Sequence, residues 1–220
     1  MEQILPERQL SLINGPVDPP LVDLTLGELL DLQAYHHGTQ ECLVIPWTGA
    51  RWSYHDLHSQ SSALAQSLLN MGIVAGDRIG IMAGNCEQYA AVFFAVAKIG
   101  GILVILNNTY TAAEAMYGIQ FSACRILFTT KTIGRLDNAR LLGELDNLDN
   151  GPKVVLLRGD TKGYETYEDL VKKGSRNQHG LLKAMSRVLP HQVVNLQFTS
   201  GTTGRPKAAM LTHQYVTHLP

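Results

Sequence analysis

A chain of 220 residues is long for one ordinary domain and short for two, so its length fits a single large α/β domain or part of a larger one. Hydrophobic residues at 45% against 17% charged residues exclude a mainly disordered or collagen-like chain. With 18 Lys+Arg against 19 Asp+Glu the formal charge is -1, which excludes a global field for nucleic acid or an anionic membrane; any polyanion must be bound locally.

Cys42, Cys86 and Cys124 form no CxxC pair and no even-numbered framework, so the reading is a reducing compartment with small buried apolar thiols. The opening stretch MEQILPERQLSLINGPVDPP carries glutamates and prolines before any long apolar run, which argues against a secretory signal or membrane anchor. No stretch reaches the roughly 18 apolar residues of a spanning helix. The expected location is cytoplasmic or organellar, with peroxisome and mitochondrion both open, and not secreted.

In chain order, Thr25 and Glu28 have capping-box spacing and open a helix to about His37, with Gly38 as its stop. Residues 42–47 and 51–54 flank the turn Thr48-Gly49-Ala50 as a β-hairpin. Ser53 and Asp56 begin a second helix, whose Leu57, Ser61, Leu64, Leu68 and Met71 share a buried face, with Gln66 on the opposite side and Gly72 at the end. Residues 78–82 read as a strand, Asn85 as the cap of a helix reaching Ile99, and residues 102–106 as a second strand after Gly100-Gly101.

Thr111 and Glu114 open another helix, residues 125–129 form a third strand, residues 153–157 a fourth, and Thr166 with Asp169 starts a short helix. Strand and helix alternating with connections this short predict parallel βαβ units: an α/β fold of largely parallel sheet covered by helices. Residues 172–192 read as a surface linker with one short helix, and residues 193–198 as a further strand.

That last strand leads into Thr199-Ser200-Gly201-Thr202-Thr203-Gly204-Arg205-Pro206-Lys207. Gly201 and Gly204 permit positive φ and close backbone approach, so that successive N–H groups can converge on phosphate oxygens. Lys207 supplies the compensating charge, and Pro206 stiffens the chain before it. The spacing is not that of the common P-loop, which needs four residues between its glycines and a lysine directly after the second. A flexible Ser/Thr/Gly surface loop is the alternative; complete order at nine positions directly after a strand favours the phosphate cradle.

The segment resembles the phosphate-binding signature of the adenylate-forming (AMP-binding) superfamily, which includes acyl-CoA synthetases, adenylation domains of peptide synthetases and luciferases. The resemblance extends to Trp52-Ser53-Tyr54 with Leu57, Gly72, Gly76-Asp77-Arg78-Ile79, Asn85 with Glu87, and Ala97-Lys98-Ile99-Gly100-Gly101. Residues 107–110 with Glu114, and Thr212-His213, also fit. Within the superfamily, Asn107-Asn108-Thr109-Tyr110-Thr111 and the run from Asn195 to Gly204 look most like fatty-acid or medium-chain acyl-CoA synthetases.

The resemblance implies the N-terminal part of an acid–CoA ligase, with ATP, Mg2+ and coenzyme A as substrates and cofactors and a carboxylic acid as the group activated. It implies that Thr199, Ser200, Gly201, Thr202, Thr203, Gly204 and Lys207 hold the β- and γ-phosphates. It also implies an N-terminal extension over residues 1–23 and an incomplete adenylation domain over residues 24–220. The family's adenine, ribose and hinge motifs and its small C-terminal domain lie outside the chain. The second functional reading is a truncated, catalytically silent domain with an interaction or regulatory role.

His36, His37, His55 and His58 can be read as metal ligands, but without a matching cysteine or carboxylate cluster the surface reading is preferred. His213 either approaches substrate or packs and caps a helix, the latter favoured. Asp77 and Glu87 read as turn and helix-start residues.

Overall fold

The computed structural model describes residues 22–176, 180–199 and 206–218. In chain order the elements are α1 (Leu26–His37), β1 (Glu41–Ile45), β2 (Ala50–Ser53), α2 (Tyr54–Asn70), β3 (Arg78–Met82), α3 (Glu87–Lys98) and β4 (Ile102–Ile105). There follow α4 (Ala112–Phe121), β5 (Ile126–Thr129), β6 (Thr132–Ile133), β7 (Leu136–Asp137), α5 (Ala139–Asp146), β8 (Lys153–Leu156) and β9 (Glu165–Thr166). The last are α6 (Tyr167–Gly174), α7 (Leu181–Met185), β10 (Val193–Thr199), β11 (Lys207–Thr212) and α8 (His213–Thr217).

The main sheet has seven strands in the order β11-β10-β4-β3-β5-β8-β9, parallel throughout except for β11, which runs antiparallel to β10 at one edge. Strand side chains alternate between the two faces, and each face has its own core. Ile79, Ile81, Leu103 and Phe128 meet α1, α2, α3, α6 and α7 through Leu30, Leu64, Val92, Leu170 and Leu181. Met82, Val104, Leu127 and Leu156 meet α4 and α5 through Ile119, Leu141 and Leu145. The α/β architecture is therefore the one that the alternation of elements predicts.

Local chemistry sets the helix starts. Complete capping boxes close α1 (Thr25 with Glu28), α2 (Ser53 with Asp56) and α4 (Thr111 with Glu114), and Thr166 caps α6 through Asp169 N–H. α3 differs from expectation. It begins at Glu87 behind Cys86, which makes no side-chain cap, and Asn85 stays in the preceding turn with its carbonyl accepting the Trp47 indole N–H at 2.9 Å. Gly38 does end α1, but with right-handed dihedrals; a Cβ there would lie 2.0 Å from His55 Nε2, so close approach rather than positive φ requires glycine.

α2 departs from a one-faced amphipathic helix. Residues 61–68 are all buried, because α2 packs against α3, α6 and α7 as well as α1. Gln66, expected to face solvent, is 4% exposed; its amide donates to Asn70 Oδ1 at 2.9 Å and accepts the Gly180 N–H at 3.1 Å. The α2–α6 approach is close enough that a Cβ on Gly174 would sit 1.8 Å from the Ala63 carbonyl oxygen, and Ser67 Oγ donates to the Leu170 carbonyl.

One charge lies inside this helical layer. The Lys98 side chain is 1% exposed, and its ammonium pairs with Asp31 of α1, which also accepts a 3.1 Å contact from His58 Nε2 of α2. Burial pulls the Lys98 ammonium down from its ordinary value against the opposing pull of Asp31. Burial works to raise the Asp31 carboxyl, but the hydrogen bonds from His58 and Lys98 outweigh it and hold it low.

Two expectations follow from this packing. Leu64→Asp and Gln66→Asp should both destabilise strongly, each burying a carboxylate, whereas Ser59→Asp on the exposed side of α2 should melt like the parent. Asp31→Ala, which strands the enclosed ammonium, should cost roughly 3 kcal/mol, and Lys98→Met, which leaves only a half-exposed carboxylate beside His58, roughly 1 kcal/mol or less. Urea unfolding of the two single variants measures the asymmetry; equal losses would contradict it.

Candidate functional site

Parallel strands deliver their following loops to one edge of the sheet, and in open α/β sheets ligands bind beyond those carboxyl ends. Here that edge collects residues 83–85 after β3, 106–110 after β4, 130–131 after β5, 157–159 after β8, and Thr199 at the end of β10. The order β4-β3-β5-β8 places the reversal of winding between β3 and β5.

The antiparallel β10–β11 hairpin frames the expected phosphate loop. Its ladder runs from Val193 opposite Thr212 to Thr199 opposite Lys207, so two of the predicted site residues face each other at the loop's base. The Thr199 hydroxyl donates to the Lys207 carbonyl at 3.4 Å. Lys207 is exposed, and among the described residues it makes no ion pair. Ser200, Gly201, Thr202, Thr203 and Gly204 lie outside the described residues.

Beside this hairpin a cavity of about 550 Å³ opens between α4 and β10, lined by Tyr110, Glu114, Tyr117, Gly118, Phe198 and Pro206. Its wall is aromatic: Tyr117 stacks on Phe121 at 5.6 Å between ring centroids, and Phe121 meets Phe198 edge-on at 6.2 Å. Glu114 is held below the usual carboxylate range by its backbone and side-chain bonds from Thr111, so it stays charged in its capping box. Asn107 fixes the approach to this wall, accepting the Thr109 N–H at 3.0 Å and its hydroxyl at 2.9 Å.

A second crevice of about 500 Å³ lies at the carboxyl ends of β3, β4 and β8, bordered by Trp47, Asn85, Asn108, Thr109, Gly134 and Arg158. Arg158 also borders an adjoining cavity of about 290 Å³ with Lys131 and Gly159, where Lys131 pairs with Asp160 at 2.9 Å. An arginine shared by two crevices suits an anion or a planar polar group. Sequence reading missed Arg158 and Trp47. The available signal was Leu157-Arg158-Gly159 directly after a predicted parallel strand, where ligand-facing residues collect.

His36, His37 and His55 are exposed, and His58 serves Asp31; among the described residues no three His, Cys, Asp or Glu side chains cluster as metal ligands. Cys86 and Cys124 are buried, and burial pushes both thiols up, that of Cys124 to about 11. Asp77 accepts the Val74 N–H at 2.8 Å in its turn and pairs with Arg125, and Glu87 accepts the Thr48 hydroxyl at 2.9 Å. His213 is fully buried and its Nδ1 accepts the Leu26 N–H at 3.2 Å, satisfying the first turn of α1.

Residues 30–219 match the family described as "AMP-binding enzyme". Acyl-CoA ligase sidI of Beauveria bassiana is 71% identical over 213 residues, covering 96% of this chain and 37% of that protein. A mitochondrial medium-chain acyl-CoA ligase of Mus musculus is 29% identical, covering 96% of this chain and 37% of that protein. The chain thus spans little more than a third of the length of these relatives. Among solved structures, an anthranilate CoA ligase in complex with anthranoyl-AMP superposes with a TM-score of 0.74 at 19% identity over 90% of this chain and 36% of that one, a likeness of fold.

The buried imidazole gives a pH expectation. Burial, opposed by Glu28, pulls His213 down to about 4, below the roughly 6.5 of an unfolded histidine. Its contribution to stability is therefore complete above about pH 6.5 and is lost as pH falls toward 4. His213→Asn cannot titrate, so its stability measured by urea unfolding should fall less steeply across that window, by up to about 1.4 kcal/mol per pH unit.

Proposed function

This chain belongs to the family of AMP-binding enzymes, and from that premise we propose that it is the N-terminal part of an ATP-dependent acid–CoA ligase that activates a carboxylic acid, of fatty-acid type, as its acyl-adenylate. The observation that carries this reading is the hairpin. An exposed lysine without an ion pair among the described residues stands opposite Thr199 where a Ser/Thr/Gly loop leaves the carboxyl edge of a parallel sheet. Such a place offers donors and positive charge to a polyphosphate.

In the first half-reaction the acid's carboxylate attacks the α-phosphate of ATP and pyrophosphate leaves; in the second the thiol of coenzyme A takes the acyl group and AMP leaves. Thr199, Ser200, Gly201, Thr202, Thr203, Gly204 and Lys207 hold the β- and γ-phosphates, where charge grows as pyrophosphate departs. The donor set fits an anion chain and contains no carboxylate, so these residues bind the nucleotide's oxygens rather than a metal. Magnesium, when bound with ATP, neutralises phosphate charge. The cavity lined by Tyr110, Tyr117, Phe198 and Pro206 gives an aromatic wall for an apolar reactant.

The family resemblance implies further adenine and ribose contacts and a small C-terminal domain beyond these residues. Residues 1–220 by themselves are expected to give no carboxylate-dependent pyrophosphate exchange; turnover by this chain would show that residues treated as structural are catalytic. In the complete ligase, Lys207→Ala should lower exchange by about ten- to a hundredfold, the equivalent of one charge-assisted hydrogen bond of roughly 1.5 to 3 kcal/mol, without altering the fold. Equal exchange rates would exclude the phosphate role.

A further inference from the structure

The segment entering α1 and the helix following the hairpin are joined by two histidines that the proposed chemistry does not use. His213 Nδ1 accepts the Leu26 N–H at 3.2 Å, and His218 Nε2 accepts the Val22 N–H at 2.8 Å. Both acceptors come from the chain just beyond β11, and both donors from the first residues that the structure describes. The join is backed by an apolar contact in which Leu26, Ala97 and Val194 pack with Val216. Two backbone bonds complete it: His213 N–H to the Gln192 carbonyl at 3.1 Å and Gln214 N–H to the Pro190 carbonyl at 2.8 Å.

An imidazole nitrogen accepts only when it carries no proton, and in the neutral ring the other nitrogen is then the donor. For His213 this places a buried N–H at Nε2, an atom with no partner among the described residues. Asn195 Oδ1, a buried acceptor, also lacks a partner, and Asn195 stands opposite Leu211, two residues before His213. The two are a donor and an acceptor left over at the same end of the sheet, one on β10 and one at the start of α8.

β11 needs such an anchor. It is an edge strand paired only with β10, and the ladder shifts register between Val193 and Asn195, next to the Thr212 pairing. A slip of one residue would turn every side chain of β11 to the other face and remove Lys207 from the loop's base.

We propose that His213 and His218 are positioning residues: as neutral acceptors they clasp the main chain at Val22 and Leu26 to the end of β11, and so hold Lys207 opposite Thr199. The clasp stands on the structure alone; its consequence for ATP rests on the phosphate-loop reading.

Imidazole nitrogen NMR of the 220-residue chain should find His213 neutral with its proton on Nε2, and a proton on Nδ1 would overturn the proposal. Amide exchange in β11 should quicken about tenfold in His213→Val and in His218→Leu. His213→Asn and His218→Gln, which return an acceptor oxygen near the lost nitrogen, should restore protection. Unchanged exchange in the apolar variants, or no rescue by the amides, would also overturn it, and His218→Leu, at a surface site, carries the test if His213→Val does not fold.

Pyrophosphate exchange in the complete ligase separates the two readings. Loss in Lys207→Ala and in His218→Leu, with recovery in His218→Gln, supports positioning. Loss in Lys207→Ala alone overturns it. No effect of Lys207→Ala, with the amide-exchange pattern intact, rejects the phosphate-loop reading and leaves the clasp supported.

Discussion

Parallel pairing of β10, β4, β3, β5, β8 and β9 is the constraint on which the rest of the molecule depends. Parallel neighbours cannot be joined by tight turns, so each must be linked by a crossover, and the crossovers must cover both faces because neither can be left to water. The same requirement sends every strand-to-helix loop to one edge. Thr199 at the end of β10, the turn from Asn107 after β4 and Arg158 after β8 are all delivered to that edge although they are far apart in the chain. The antiparallel return of β11 is the exception, and it lets the chain leave the site along the strand on which it arrived.

Among the described residues most buried polar side chains have partners, and these partners say how the layers are held. Lys98 joins α3 to α1 through Asp31, and His58 brings α2 to the same carboxylate. Ser67 bonds α6 to α2, and Gln66 bonds α2 to the turn before α7. Each link crosses between helices that also share apolar contacts, so it fixes their register more than it adds to their attraction. The two histidines beyond β11 extend this pattern to the hairpin, binding backbone N–H groups rather than charges.

Much of the fold was legible from local signals. The capping boxes at Thr25, Ser53 and Thr111 are written in residues three apart and form as expected, because each is satisfied within a single turn. The limits of β3 matched because the Gly76-Asp77 turn fixes its start and the Ile79, Ile81 and Met82 side chains carry it to the next turn. Not seen were the two-residue strands β6, β7 and β9, the short α8, and β11, whose Lys-Ala-Ala-Met-Leu-Thr pattern has no clear strand periodicity; α5 was missed although Leu141, Leu142 and Leu145 have helical spacing. Asn85 shows the converse, a good capping residue that stays in the turn before α3, where its backbone carbonyl accepts the indole N–H of Trp47 from a distant hairpin.

The sequence by itself determined the alternation of strands and helices and the helix starts at Thr25, Ser53, Thr111 and Thr166, since each depends on residues within a few positions of one another. Tertiary structure alone decided that Gln66 is enclosed, that Gly38 and Gly174 must lack a Cβ, that Arg158 faces a crevice, and that His213 serves α1 rather than a substrate. Those outcomes depend on which surfaces meet across separations of up to nearly the whole chain, as between Val22 and His218. Periodicity marks a side chain as apolar or polar and says on which face it lies; what occupies the space opposite is a property of the packed layers.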